Sequence, residues 1–235
     1  MTRLTVGPSG KSTFPIMKYQ LQANAIAPLL ARTISLGIAL DGVKDEWFAI
    51  QKEQSTDNER ITQLVTACCV IKPLCSWNLE RVASITRERC GGAGYLSCSR
   101  FGTFIGLAHA AMTAEGNFLF LFVFKFYLGD NSVLMNKVAK EQLTMFKPAK
   151  LDEVAFDLTS RDYLHYVLSK NEQMRFMELG KTMMAAGKAG IFDSWSLQNQ
   201  DMVQAAAHAY GERIVSDTSK GFEKSCSVFC GYFYF

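Results

Sequence analysis

The residues best suited to chemistry lie between Cys90 and Val138. Cys90-Gly91-Gly92-Ala93-Gly94-Tyr95 is a glycine-rich turn. Met112-Thr113-Ala114-Glu115-Gly116 sets one carboxylate behind small and apolar residues, and Asp130-Asn131-Ser132 opens a helical pattern. A glutamate held against an apolar surface has its pKa raised towards working pH, which suits a general base. Gly91 and Gly92 let backbone approach a phosphate closely. Gly116 permits a sharp turn, and Asp130-Asn131 can cap the next helix, whose N-terminus suits a pyrophosphate. Alone, a glutamate after Thr-Ala reads as a surface loop residue; the neighbouring turns make it a candidate.

Thirteen residues, Asn117 to Gly129, separate the glutamate from the helix start. Without them the chain reads Thr-Ala-Glu-Gly-Asp-Asn-Ser-Val-Leu-Met. Phe118 to Phe126 places phenylalanine at every second position, as a strand would, but both alternating sets are apolar apart from Lys125. As protein, the stretch is aggregation-prone and too short to span a bilayer. As nucleic acid, its Phe and Leu codons form a pyrimidine-rich tract of the kind that precedes splice acceptors. Residues 117–129 are read as translated intron, with a true apolar insertion as the alternative, and the 225–235 tail has the same character.

Helices must position these groups. Ile16, Tyr19, Ala23, Ile26, Leu30 and Thr33 mark one helical face within 16–40, with an end at Gly42 or as late as Trp47. Gln51–Asn58 reads as a loop. Ile61, Leu64, Val65 and Cys68 open a second helix that Pro73 should kink or break. Leu74–Cys90 is a third, stopped by Gly91-Gly92. A fourth runs from Asp130 through Leu143. After a linker at 147–151 come helical stretches at Tyr163–Leu168, Met174–Ala186 and Trp195–Val215. The expected architecture is all-α, as two packed helical bundles.

The 235 residues allow one large or two small domains, with nearly half the residues apolar and a fifth charged. A net charge of +3 supplies no basic stripe for nucleic acid. Seven cysteines, an odd number in a chain this long, argue for reduced thiols over a disulfide scaffold. Cys68 and Cys69 read as core. Cys226 and Cys230 have no second pair of ligands, so no metal site is expected. His109, His165 and His208 are scattered; His109, on an Ala-rich stretch, reads as packing. The N-terminal residues lack a signal-peptide h-region, and no membrane segment is expected.

Taken together, the motifs resemble the C-terminal helical half of an acyl-CoA oxidase, in the superfamily shared with acyl-CoA dehydrogenases. Arg3-Leu-Thr-Val6-Gly7 resembles the family's Arg-x-x-Phe-Gly, with Val6 in place of the aromatic residue. Tyr19-Gln20-Leu21-Gln22 is similar to its Tyr-Gln-x-Gln stretch. Cys90–Tyr95 is similar to its Cys-Gly-Gly-x-Gly-Tyr turn, with Ala93 where many members have histidine or glutamine and Glu88 where the dehydrogenases have glutamine. Thr113–Gly116 is similar to the catalytic loop. Phe156–Ser160, Trp195 and Ala209-Tyr-Gly-Glu-Arg213 resemble the helical domain that oxidases append and dehydrogenases lack. The likeness runs from about residue 2 to 224, apart from 117–129.

This resemblance implies a division into a dehydrogenase-like bundle at 1–148, an oxidase C-terminal domain at 149–224 and an atypical tail at 225–235. It implies FAD-dependent oxidation of fatty acyl-CoA to trans-2-enoyl-CoA, with molecular oxygen reduced to hydrogen peroxide, in peroxisomal β-oxidation. Glu115 would be the base, and Arg3, Gly91, Gly92, Gly116 and Asn131 would touch FAD, across a homodimer interface. The last residues are not a peroxisomal targeting tripeptide. The family's N-terminal and β-barrel domains would precede Met1, so a non-catalytic fragment is one alternative. A dehydrogenase passing electrons to a flavoprotein is another.

Overall fold

The computed structural model describes residues 4–113 and 129–219. Arg3, Glu115, Gly116, residues 117–128 of the apolar stretch, Cys226, Cys230 and the 225–235 tail lie outside the described residues.

The fold is all-α. Helices α1 (Gln20–Glu53), α2 (Asn58–Arg89), α3 (Gly92–Tyr95), α4 (Phe101–Thr113), α5 (Asn131–Met145), α6 (Arg161–Asp193) and α7 (Gln200–Ser219) follow a small antiparallel hairpin, β1 (Leu4–Val6) and β2 (Ser12–Pro15). The hairpin was not expected. Its signal is the Gly7-Pro8-Ser9-Gly10 turn, in which Gly10 has φ 73° and donates to the Gly7 carbonyl at 2.9 Å. Tyr19, just before α1, ties the hairpin down: its hydroxyl donates to the Val6 carbonyl at 2.7 Å, and its ring meets Phe14 edge-on at 5.5 Å.

Pro73 does not end a helix, because α2 runs on through it to Arg89. The ring removes one backbone donor, worth about 3 kcal/mol in a helix interior. It is fully buried in the core, and packing outweighs the local preference. Pro28 is likewise inside α1, which extends past both proposed ends to Glu53. The buried face of α1 carries Leu29, Ala31, Ser35, Leu36 and Ala39, whereas Tyr19 and Leu30 are exposed. Apolar residues surround that helix, so periodicity could not select the inward side. By length and composition α1 would suit a membrane span; here it packs along α2 and α7.

The two stretches expected at 163–186 form one helix, α6, with a non-helical residue at Gly187 (φ 64°, ψ 178°). The pattern in α7 holds: Val203, Ala206 and Tyr210 are buried, with Met202 and Ile214 packed against the same core. That core joins Leu36 of α1, Ile71 and Leu74 of α2, Met135 and Val138 of α5, Phe176 and Leu179 of α6, and Val203 of α7. Residues on both sides of the 147–151 linker therefore share one buried cluster. Burying each large aliphatic or aromatic side chain contributes roughly 1.5–3 kcal/mol.

Helix α2 is the hub, packed against α1, α4, α5 and α7. Gly211 brings α7 close to it, since a Cβ there would stand 2.6 Å from Val70 Cγ2 and 2.9 Å from Leu74 Cδ1. Arg32 of α1 donates through both terminal nitrogens to Glu212 of α7, at 2.6 and 3.2 Å.

Candidate functional site

The glycine turn caps α2 as the sequence implies. Helix α2 ends at Arg89, Cys90 follows in helical conformation, and Gly91 takes φ 60°, ψ −143°. An L side chain rarely adopts that backbone, so glycine is the residue for it. Gly91, Gly92 and Ala93 are exposed, and Tyr95 is 80% exposed. A Cβ at Gly92 would meet nothing within 4 Å, so its backbone is open to solvent. Gly94 is buried for another reason: a Cβ there would lie 2.2 Å from the Arg87 carbonyl oxygen. Arg87 also sets its guanidinium over the Tyr95 ring at 5.9 Å.

Helix α4 then runs back along α2. Its thirteen residues cover roughly 20 Å at 1.5 Å per residue. The glycine turn and Thr113, the last described residue before Glu115, thus stand at opposite ends of α4. The structure does not bring Gly91 and Gly92 to the same spot as Asn131, which lies at the Thr113 end. His109 is exposed on α4 rather than packed. This helix is apolar on most sides and lies at the surface, so an Ala-rich stretch did not guarantee burial.

At the far end, Asp130 caps α5 by accepting the Ser132 N–H at 2.8 Å, as expected from the sequence. Asn131 is almost fully buried, at 2% exposure, and its side-chain amide is committed inside the protein. It donates to the Ser76 hydroxyl at 2.9 Å and accepts from Lys72 Nζ at 2.9 Å. Lys72 Nζ also donates to the carbonyls of Met112 at 3.1 Å and Gly129 at 2.9 Å. Burial lowers the Lys72 pKa, and the nearby Asp130 carboxylate opposes that shift. From the other side, Gln204 of α7 donates to the Ser132 carbonyl at 2.9 Å and Gln200 accepts from the Asn136 amide at 2.9 Å.

Sequence reasoning missed Lys72 and Ser76. The signal was present: Lys72 is the one charged residue between Arg60 and Glu80. A lone cation inside an apolar helix needs acceptors. Ser76, one turn later, faces the same way.

Burial pushes the Cys68 thiol up to about 12 and raises Cys69 and Cys75 as well, so these thiols are poor nucleophiles. His208 stacks on Trp77 at 4.9 Å, and burial lowers its pKa.

Comparison with known proteins points the same way. The family described as "Acyl-CoA oxidase, C-alpha1 domain" matches residues 5–143. The chain is 24% identical over 178 residues to acyl-coenzyme A oxidase 1 of Drosophila melanogaster, covering 75% of this chain and 24% of that protein. It is 26% identical over 171 residues to peroxisomal acyl-coenzyme A oxidase 3 of Homo sapiens, covering 69% of this chain and 23% of that one. The chain thus spans about a quarter of the length of these relatives. Its fold is similar to that of acyl-CoA oxidase 1 of Arabidopsis thaliana, with a TM-score of 0.76 at 18% identity, covering 96% of this chain and 35% of that one. For acyl-CoA oxidase3 of Yarrowia lipolytica the TM-score is 0.75 at 15% identity, covering 98% and 36%. The family match spans more than half of the sequence, and the chain belongs to the acyl-CoA oxidase family.

Proposed function

We propose that this chain carries the C-terminal helical part of an FAD-dependent oxidase that converts fatty acyl-CoA to trans-2-enoyl-CoA, with molecular oxygen reduced to hydrogen peroxide. The observation that carries the reading is the family match over residues 5–143, which includes both the glycine turn and the Thr113–Gly116 stretch. Peroxisomal residence follows from the resemblance to the human peroxisomal oxidase. The division at 148, with an oxidase C-terminal domain from 149 to 224, belongs to the same proposal.

Glu115 is the base that removes the proton beside the thioester carbonyl. FAD supplies the hydride acceptor for the next carbon. A carboxylate serves as such a base when its pKa lies near working pH. Gly91 and Gly92 present open backbone to the dinucleotide. Gly116 and Arg3 are assigned to FAD contacts, Arg3 to the cofactor of a second subunit. Asn131 serves through the order it gives the start of α5, because its amide is already engaged by Lys72 and Ser76. The roughly 20 Å between the ends of α4 supports a long ligand, or two subunits, using both ends.

A second reading is favoured by one observation, that the chain spans about a quarter of its relatives' length. There it is a helical piece whose turnover needs further protein. Hydrogen peroxide release on adding fatty acyl-CoA, with and without Glu115→Gln, separates the readings. Peroxide from the unaltered chain alone, lost in the variant, supports catalysis. Peroxide from neither supports the second reading.

A further inference from the structure

We infer that Lys72 is a positioning residue that pins both ends of the segment carrying Glu115 to a single point on α2. An ammonium has three N–H bonds. Lys72 Nζ has three oxygen acceptors at 2.9–3.1 Å: the Met112 carbonyl, the Gly129 carbonyl and the Asn131 side chain. All three donors are used, so Lys72 is neither a free base nor an anion site.

The acceptors come from the two sides of one gap. Met112 lies near the end of the described part of α4, and its carbonyl accepts from the Lys72 ammonium. Gly129 and Asn131 lie at the start of α5, where a cation is disfavoured and the Asp130 carboxylate compensates. Ser76, one turn along α2, fixes the other half of the Asn131 amide. Whatever path residues 114–128 take, they leave and return beside one nitrogen atom.

This placement has a consequence for the thirteen extra residues. Closing a loop costs more as it lengthens, but the dependence is logarithmic and weak. Met112 and Gly129 are both held to Lys72, so the two anchor points are set by α2 whatever the number of residues between them. The role of Glu115 rests on the functional reading above; the pinning of the two ends does not.

Hydrogen exchange on the full chain tests the pin directly, using Lys72→Met, which keeps the aliphatic stem and removes all three donors. Exchange at amides of 108–113 and 129–136 should rise at least about tenfold, while core amides of α1 and α7 change by less than about twofold. A uniform rise across the protein, or none, would overturn the inference. Should Lys72→Met not fold, Ser76→Ala decides: it should loosen the α5 end alone, and an equal change at the α4 end contradicts the assignment. If the chain holds flavin and turns over, Lys72→Met should lower kcat about a hundredfold with KM held within about twofold, and Lys72→Arg should restore part of it. A change in KM alone would overturn the link to Glu115. Absence of flavin would sink the catalytic reading for this chain and leave the exchange result standing.

Discussion

Gly94 packs its Cα against the backbone carbonyl of Arg87, so closely that a Cβ would stand 2.2 Å from that oxygen. The turn after α2 folds back on the last turn of that helix, and this contact sets where α4 begins. The three glycines therefore have different reasons. Gly91 needs its backbone angles, Gly92 is open to solvent, and Gly94 is a close approach.

Gly94→Ala should therefore destabilise the chain by about 1–3 kcal/mol, the usual cost of overpacking. The obstacle is backbone, which cannot rotate away. Gly92→Ala meets no atom within 4 Å and should cost well under 1 kcal/mol. Denaturant unfolding of the two variants checks the order, and equal losses would contradict this account of the turn.

His208 supplies a pH dependence. Burial holds its pKa below the ordinary histidine value; Glu212 pulls it up and Arg32 pushes it down, with burial the largest effect. Between the folded pKa and about 6.5 the unfolded chain binds the proton more readily. Stability is therefore full above the ordinary value and declines as pH falls through the folded one. Thermal unfolding between pH 7 and 5 should show this decline, blunted in His208→Gln. An unchanged slope in the variant would assign the loss to other groups.

Removal of residues 117–129 should leave the fold in place. Lys72 holds Met112 and Gly129 together, and a replacement glycine before Asp130 preserves the second acceptor. Shortening the loop should change stability by about 1 kcal/mol. Unfolding of the deleted chain, beside the unaltered one, measures it. Loss of folding would show that the insertion is part of the core. A genomic sequence without a pyrimidine tract ending in AG before the Asp130 codon would separately exclude a retained intron as its origin.

Much of this was legible in the sequence. The helical pattern of α7, the stop at Gly91 and the Asp130 cap follow from local rules of period, backbone freedom and side-chain capping. The inward face of α1 did not follow, because apolar residues surround that helix and only its partners select a side. Pro73 misled for a related reason, since burial against the core outweighs one lost hydrogen bond. Lys72 was visible as an isolated charge, but its three acceptors come from positions 40, 57 and 59 residues away. No local rule brings those together. The motif order pointed to the family; the roughly 20 Å between the two ends of α4 needed the fold.

The central claim is that Glu115 belongs to an FAD-dependent acyl-CoA oxidase site in this chain. Its most direct test is the visible absorption spectrum of the protein purified after expression with riboflavin, followed by fatty acyl-CoA without oxygen. Flavin bands at roughly 370 and 450 nm should copurify, and the longer-wavelength band should bleach on adding substrate. In Glu115→Gln the bands should remain and the bleaching should be lost. A colourless chain, or equal bleaching in both proteins, would contradict the claim.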